Sequence, residues 1–131
     1  MTTVIHHNPN CGTSRNVLAA IRATGTDPIV IAYLETGWTR PQLQALFAAA
    51  GLTPQTTLRT QKTDAEARGL PDSDDDTILD AMIADPILVN RPIVCTPRGV
   101  VLCRPAEAVL PLLENQPTGL LLKEDGTLLF G

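Results

Sequence analysis

The sequence predicts an α/β fold: a mixed β-sheet flanked by helices, with a helical insertion in the middle of the chain. Three observations carry the prediction. The first fifty residues alternate twice between a β-prone run and a helix-period run. Residues 52–86 are rich in Thr, Asp and Gly and require no sheet. The last forty residues hold two pairs of β-prone runs with a helical stretch between them.

Residues 2–7 (TTVIHH) are the first β-prone run and end at the turn signal Asn8-Pro9-Asn10. From Thr13 to Ala23 the period changes: Val17, Leu18 and Ile21 recur at helical spacing, and Gly25 follows as a stop. IVIAYL at 29–34 is the second strand. A helix follows from Arg40 to Ala50, with Leu43, Leu46, Phe47 and Ala50 on one face and Gly51 as its cap. The middle carries two short helical stretches, the clearer being 76–84 (DTILDAMIA), whose Asp-rich start suits the helix dipole, and Pro86 closes it. After Asn90-Arg91-Pro92, the runs 93–96 (IVCT) and 100–103 (VVLC) flank Pro97-Arg98-Gly99 as a hairpin. Pro105 suits the first turn of a helix running to Leu113. The apolar runs 120–123 (LLLK) and 127–131 (TLLFG) flank Glu124-Asp125-Gly126 as a second, late hairpin. A β-α-β opening, a helical insert, a hairpin and a last helix follow the order of a thioredoxin-like domain, and residues 1–131 are expected to form a single one.

With 44% hydrophobic residues, 18% charged and only four aromatics, the 131-residue chain has the composition of a folded domain whose core is built from Leu, Ile, Val and Ala. The net charge of −4 and pI near 5.0 argue against nucleic acid or an anionic membrane as partner, because both reward a basic surface. A small anion feels a local arginine cluster more than the net charge. No apolar run approaches the roughly 18 to 20 residues that span a bilayer, and the N-terminus lacks the regions of a signal peptide, so a cytoplasmic chain is expected. Three cysteines, at 11, 95 and 103, fit a reducing compartment rather than a disulfide framework. No metal set is expected.

Cys11 stands between the first strand and the first helix, where free backbone N–H groups and the positive end of the dipole favour a thiolate. In Cys11-Gly12-Thr13-Ser14-Arg15 the small Gly12 leaves room for an approaching anion, Thr13 and Ser14 offer hydroxyls that cap or donate, and Arg15 lies one helical turn away. His7, before the turn, can add a positive or hydrogen-bonding group. A lone cysteine in a small domain is more often a buried apolar residue. The polar, glycine-containing surroundings of Cys11 reverse that expectation, whereas Cys95 and Cys103, in apolar strand runs, keep it. A dithiol oxidoreductase would carry a second cysteine where this chain has Ser14, so an adduct at Cys11 calls for an external thiol. Arg59, Arg91 and Arg104 each stand beside turn or proline signals, and guanidinium suits bidentate oxyanion capture. Each could equally be a solvated surface arginine. Arg91-Pro92 is a candidate cis bond, as proline at the start of the third strand of thioredoxin-like folds faces the reactive cysteine.

The run His7-Asn8-Pro9-Asn10-Cys11-Gly12-Thr13-Ser14-Arg15-Asn16, with Tyr33-Leu34-Glu35, Leu58-Arg59, Pro86 to Val94, Cys103-Arg104-Pro105 and Lys123-Glu124-Asp125-Gly126, resembles the glutaredoxin-dependent arsenate reductases over nearly the whole chain. The resemblance implies a Cys11 that attacks arsenate held by Arg59, Arg91 and Arg104, with His7 beside the cysteine. It further implies glutathione as co-substrate, glutaredoxin as the partner that removes it, no bound cofactor, and release of arsenite. A monomer is expected. One rival is a thiol-stress regulator related in sequence to these reductases, which acts on RNA polymerase through a Cys-x-x-Cys pair; Ser14 counts against it. Another is a thiol-redox relative that keeps the fold but acts on another substrate. A third, the phosphatase-like arsenate reductase, needs a Cys-x5-Arg loop, and Val17 stands where that arginine would be.

Overall fold

The computed structural model describes residues 2–131. In chain order its strands are β1 (Val4–His7), β2 (Ile29–Ala32), β3 (Ile93–Thr96), β4 (Gly99–Leu102), β5 (Leu121–Leu122) and β6 (Leu128–Phe130). Its α-helices are α1 (Gly12–Ala23), α2 (Tyr33–Thr36), α3 (Arg40–Ala50), α4 (Pro54–Thr57) and α5 (Asp75–Ala84), and 3-10 segments cover Leu70–Asp72, Pro86–Leu88 and Ala106–Leu112. The chain divides into two compact units. One joins the described residues up to Ala32 with Arg91–Gly131, and the other is Tyr33–Asn90.

The first unit holds a mixed four-stranded sheet in the order β2-β1-β3-β4. β1 runs parallel to β2, with Val4 opposite Ile29, and antiparallel to β3, with Ile5 opposite Val94. β3 and β4 form the expected hairpin, Thr96 pairing with Gly99 across Pro97-Arg98. Ile5 and Val94 from the sheet, Val17, Ala20 and Ile21 from α1, and Ala106, Val109 and Leu112 from the last 3-10 segment fill one apolar core with Cys103 and Leu129. This spacing of α1 residues is the one read from the sequence, and burying such side chains contributes about 1.5 to 3 kcal/mol each. The late hairpin forms as β5 and β6, its turn closed by the Gly126 N–H on the Lys123 carbonyl at 3.0 Å, and Gly126 takes a φ of 87° that favours glycine.

The second unit is the helical insertion. α3 starts on a capping box between Thr39 and Gln42 and ends on Gly51 at a left-handed φ of 68°, as its position after the last apolar residue predicts. α5 is capped by Asp74, whose carboxylate accepts the Thr77 N–H at 2.8 Å. Leu43 and Phe47 of α3 and Ile78, Leu79 and Met82 of α5 are buried. An isolated antiparallel bridge joins Leu58, in the middle of the unit, to Val89 near its end.

Several boundaries differ from the sequence reading, and the late hairpin is shorter at both strands than its apolar runs. β1 begins at Val4 rather than residue 2. The second strand, expected to reach residue 34, stops at Ala32. Tyr33 and Leu34 instead enter a helical turn closed by the Gly37 N–H on the Tyr33 carbonyl, with the Tyr33 ring stacked on Trp38 at 4.9 Å. The fourth strand is 99–102: Cys103 faces Pro92 in the same register and its N–H reaches the Pro92 carbonyl at 2.9 Å, but Pro92 has no N–H to return the bond, so the ladder ends there. The last helix is 3-10 rather than α, and Pro105 precedes it instead of opening its first turn. Pro111 lies inside it, and a proline there lacks the N–H that an α-helical bond to residue 107 requires.

Candidate active site

β1 ends on buried His7, and the chain turns through Asn8-Pro9-Asn10. The Asn8 side chain accepts the Asn10 N–H at 2.9 Å, and the Cys11 N–H closes on the Asn8 carbonyl at 3.1 Å. The turn delivers Cys11 to the N-cap of α1 in extended backbone conformation. At that place a Ser, Thr, Asp or Asn normally folds back to bond the first turn. Here the side-chain oxygen is replaced by the Cys11 sulfur, which the Ser14 backbone N–H reaches, and no acidic residue occupies the first turn.

Two of the three candidate arginines stand beside this thiol within the first unit. Arg104 directs Nη1 to within 3.7 Å of Cys11 Sγ and donates from the same nitrogen to the Arg91 carbonyl at 3.2 Å. Arg91 is buried, and its guanidinium hydrogen-bonds the thiolate. Both sit immediately before a proline, and Arg91-Pro92 and Arg104-Pro105 are both cis. Burial, the largest influence on Cys11, pushes its pKa up. It is outweighed by the Ser14 backbone N–H, the charge of Arg91, and the hydrogen bonds from Arg91 and Arg104, so the thiol ends below its ordinary range. The helix start contributes here through one named donor, the Ser14 N–H, and the arginines supply the rest.

Arg59 belongs to the second unit. It is buried, its N–H bonds the Leu88 carbonyl at 2.8 Å, and its Nε donates to the Gln61 carbonyl at 2.9 Å. The antiparallel bridge at Leu58 thus fixes the backbone that carries it.

The supporting residues take more specific places than spacing suggests. The Ser14 hydroxyl accepts the Asn8 N–H at 3.1 Å and shares a hydrogen bond with His7 Nδ1 at 2.7 Å. Burial first, then the charges of Arg22 and Arg15, lower the His7 pKa, so at neutral pH His7 is a hydrogen-bonding group and not a positive one. Thr13 is half-buried in the first turn. Arg15 is held by Glu124: Nε and Nη2 donate to the two carboxylate oxygens at 2.8 and 2.9 Å, while Nη1 reaches the Pro9 carbonyl at 2.7 Å. A Cβ on Gly12 would lie 3.6 Å from Glu124 Oε1. Glu124 is the residue that sequence reasoning left without a role, although its Lys-Glu-Asp-Gly turn was visible.

Cys103 is fully buried, and burial with the nearby Cys95 pushes its pKa up to about 12. Cys95 is also raised by burial. Among the described residues no three His, Cys, Asp or Glu side chains group as a metal set, and no helix is long and apolar enough to cross a membrane.

Comparison with known proteins places this geometry. Residues 6–112 match the model of the ArsC family. An arsenate reductase of Synechocystis sp. (strain ATCC 27184 / PCC 6803 / Kazusa) is 59% identical over 96% of this chain and 91% of its own length. The arsenate reductase of Escherichia coli (strain K12) is 48% identical over 93% and 88%. Among solved structures, an arsenate reductase from Vibrio cholerae superposes with a TM-score of 0.80 at 37% identity, covering 86% of this chain and 98% of that one.

Proposed function

We propose that this chain, which belongs to the ArsC family, reduces arsenate to arsenite with Cys11 as nucleophile. The observation that carries the reading is the convergence on one sulfur of a helix-start N–H and two guanidinium groups, Arg104 at 3.7 Å and buried Arg91. The same donors that lower the thiol's pKa present the charge and geometry that a tetrahedral oxyanion needs, so nucleophile activation and substrate capture share one set of residues. Relatives named arsenate reductases at 48 to 59% identity over most of the chain support that substrate.

In this reading the Cys11 thiolate displaces an oxygen of arsenate, and Arg91 and Arg104 take up the charge of the remaining oxygens. Gly12, Thr13 and Arg15 line the helix start, and Ser14 is fixed by His7 so that its N–H stays on the sulfur. Ser14 also means that no resolving thiol stands in the motif. Glutathione therefore adds to the Cys11 adduct as co-substrate; a glutaredoxin thiol then attacks the glutathione sulfur, forming a glutathione–glutaredoxin disulfide and leaving the electron pair on arsenic as As(V) becomes As(III), and water releases arsenite and regenerates the Cys11 thiol. The protein works without a bound cofactor, as a monomeric cytoplasmic enzyme whose residues 1–131 act as one domain.

Purified protein with glutathione, glutaredoxin and an NADPH-regenerating system should consume NADPH when arsenate is added. Cys11→Ser should lower that rate by more than about a thousandfold, as loss of a nucleophile does. Retained turnover in the Ser variant overturns the assignment.

A further inference from the structure

α1 begins without an oxygen cap: its N-cap acceptor is the Cys11 sulfur, met by the Ser14 backbone N–H, and its first turn contains no acidic residue. A carboxylate is nevertheless present, brought from the far end of the chain. Glu124, in the β5–β6 turn, binds Arg15 through both oxygens, and its backbone N–H donates to Asn16 Oδ1 at 3.0 Å. Its Oε1 stands where a Cβ on Gly12 would touch it, over the first residue of the helix. Arg15 completes the clamp by reaching back to the Pro9 carbonyl in the loop that carries Cys11. The turn at 123–126 is thus bonded to the first turn of α1, Arg15 links it on to the Cys11 loop, and a negative charge sits where an incoming anion would otherwise meet the dipole and Arg15.

We propose that Glu124 is a positioning residue for the Cys11 site: it occupies the Arg15 guanidinium and sets the field at the thiol, so that an oxyanion is met by Arg91 and Arg104 and not by Arg15. Three features support this. The ion pair is bidentate, the geometry that fixes a guanidinium most firmly. Arg15 senses Cys11: its pKa is raised first by the Glu124 hydrogen bond and also by the Cys11 thiolate, which puts one cation between two anions. The Glu124 carboxyl is in turn held below its usual range, chiefly by the Arg15 hydrogen bond, and so carries its charge throughout the range in which the thiolate works. Removing the carboxylate charge would leave Arg15 uncompensated beside the thiol and would draw anions toward it.

The inference rests on the reading of Cys11 as the reactive thiol but is tested without arsenate. The rate of Cys11 alkylation by iodoacetate, an anion, is divided by its rate with neutral iodoacetamide, each followed by mass spectrometry of the Cys11 peptide. In both reactions the thiolate displaces iodide and forms a C–S bond, so the ratio reads the local field and cancels accessibility. Glu124→Gln keeps the size and one acceptor while removing the charge. It should raise the ratio about threefold at low salt, a difference that shrinks as ionic strength rises. Adding Arg15→Gln to that variant removes the cation as well and should return the ratio toward the wild-type value. An unchanged ratio in Glu124→Gln, equal slowing of both reagents, or a double variant that stays high would each overturn the proposal. An inactive arsenate assay with a responsive ratio would instead remove the proposed function and leave the role of Glu124 at the thiol intact.

Discussion

Cys11 and Cys103 are both buried thiols of the first unit, and burial acts on both in the same direction, yet their acidities diverge. Cys103, in the apolar core at the end of β4, is pushed up to about 12. Cys11, 6% exposed, is brought below the ordinary range because the Ser14 N–H, Arg91 and Arg104 oppose the desolvation. Burial alone makes a thiol inert. What makes one reactive is a set of donors that stay attached to the charged form.

The contrast breaks if the two thiols react alike. At pH 7 and with the chain folded, iodoacetamide should modify Cys11 faster than Cys103 by more than about a thousandfold, with the Cys11 midpoint below the model thiol value of about 8.5. Peptide-resolved alkylation across pH checks both, and comparable rates would remove the electrostatic account.

A buried base extends the comparison. His6, on β1, is lowered by burial from 6.5 to about 4. Its folded pKa lies below the unfolded one, so the stability that depends on neutral His6 is complete above about pH 6.5 and is lost as pH falls toward 4. The loss should amount to roughly 2 to 3 kcal/mol. Denaturant titrations at pH 7 and pH 4 should show it in the wild type and show less of it in His6→Gln. An equal acid loss in the two would place the effect elsewhere.

The smallest effect isolates single donors at Cys11. Arg104→Ala should raise the Cys11 midpoint by about one unit, and Arg91→Ala by at least as much because that guanidinium is buried. Arg68→Ala, on a side chain paired with Asp64 and Asp85 in the second unit, should leave it in place. Equal shifts in all three would deny the arginines their specific role.

The parts legible in the sequence were the local ones. A turn signal followed by helical spacing located Cys11, Gly51 marked the end of α3, and Pro97-Arg98-Gly99 announced the β3–β4 hairpin, because each is decided by neighbours in the chain. Arg91 and Arg104 stood out through their prolines, but their meeting at one sulfur depends on the pairing of β3 with β1 and β4 and has no local signature. The Glu124 clamp spans 109 residues and the His7–Ser14 bond joins a strand to a helix, so neither could be read from spacing. The 3-10 form of Ala106–Leu112 was readable in principle from Pro111. The helical turn at Tyr33 was not, because stacking on Trp38 overrides the β-preference of the IVIAYL run.

The sheet that builds the first unit joins Ile5 to Val94, with the whole of Tyr33–Asn90 between them in the chain. During synthesis the strand, turn and helix around Cys11 therefore leave the ribosome long before Arg91, Arg104 and Glu124 do. A chain of ninety residues carries the cysteine and its helix start but neither Arg91 nor Arg104, which help to hold the thiol below its ordinary range. The guanidinium share of the thiol's acidity therefore arrives late, with the closing of a long-range strand pair.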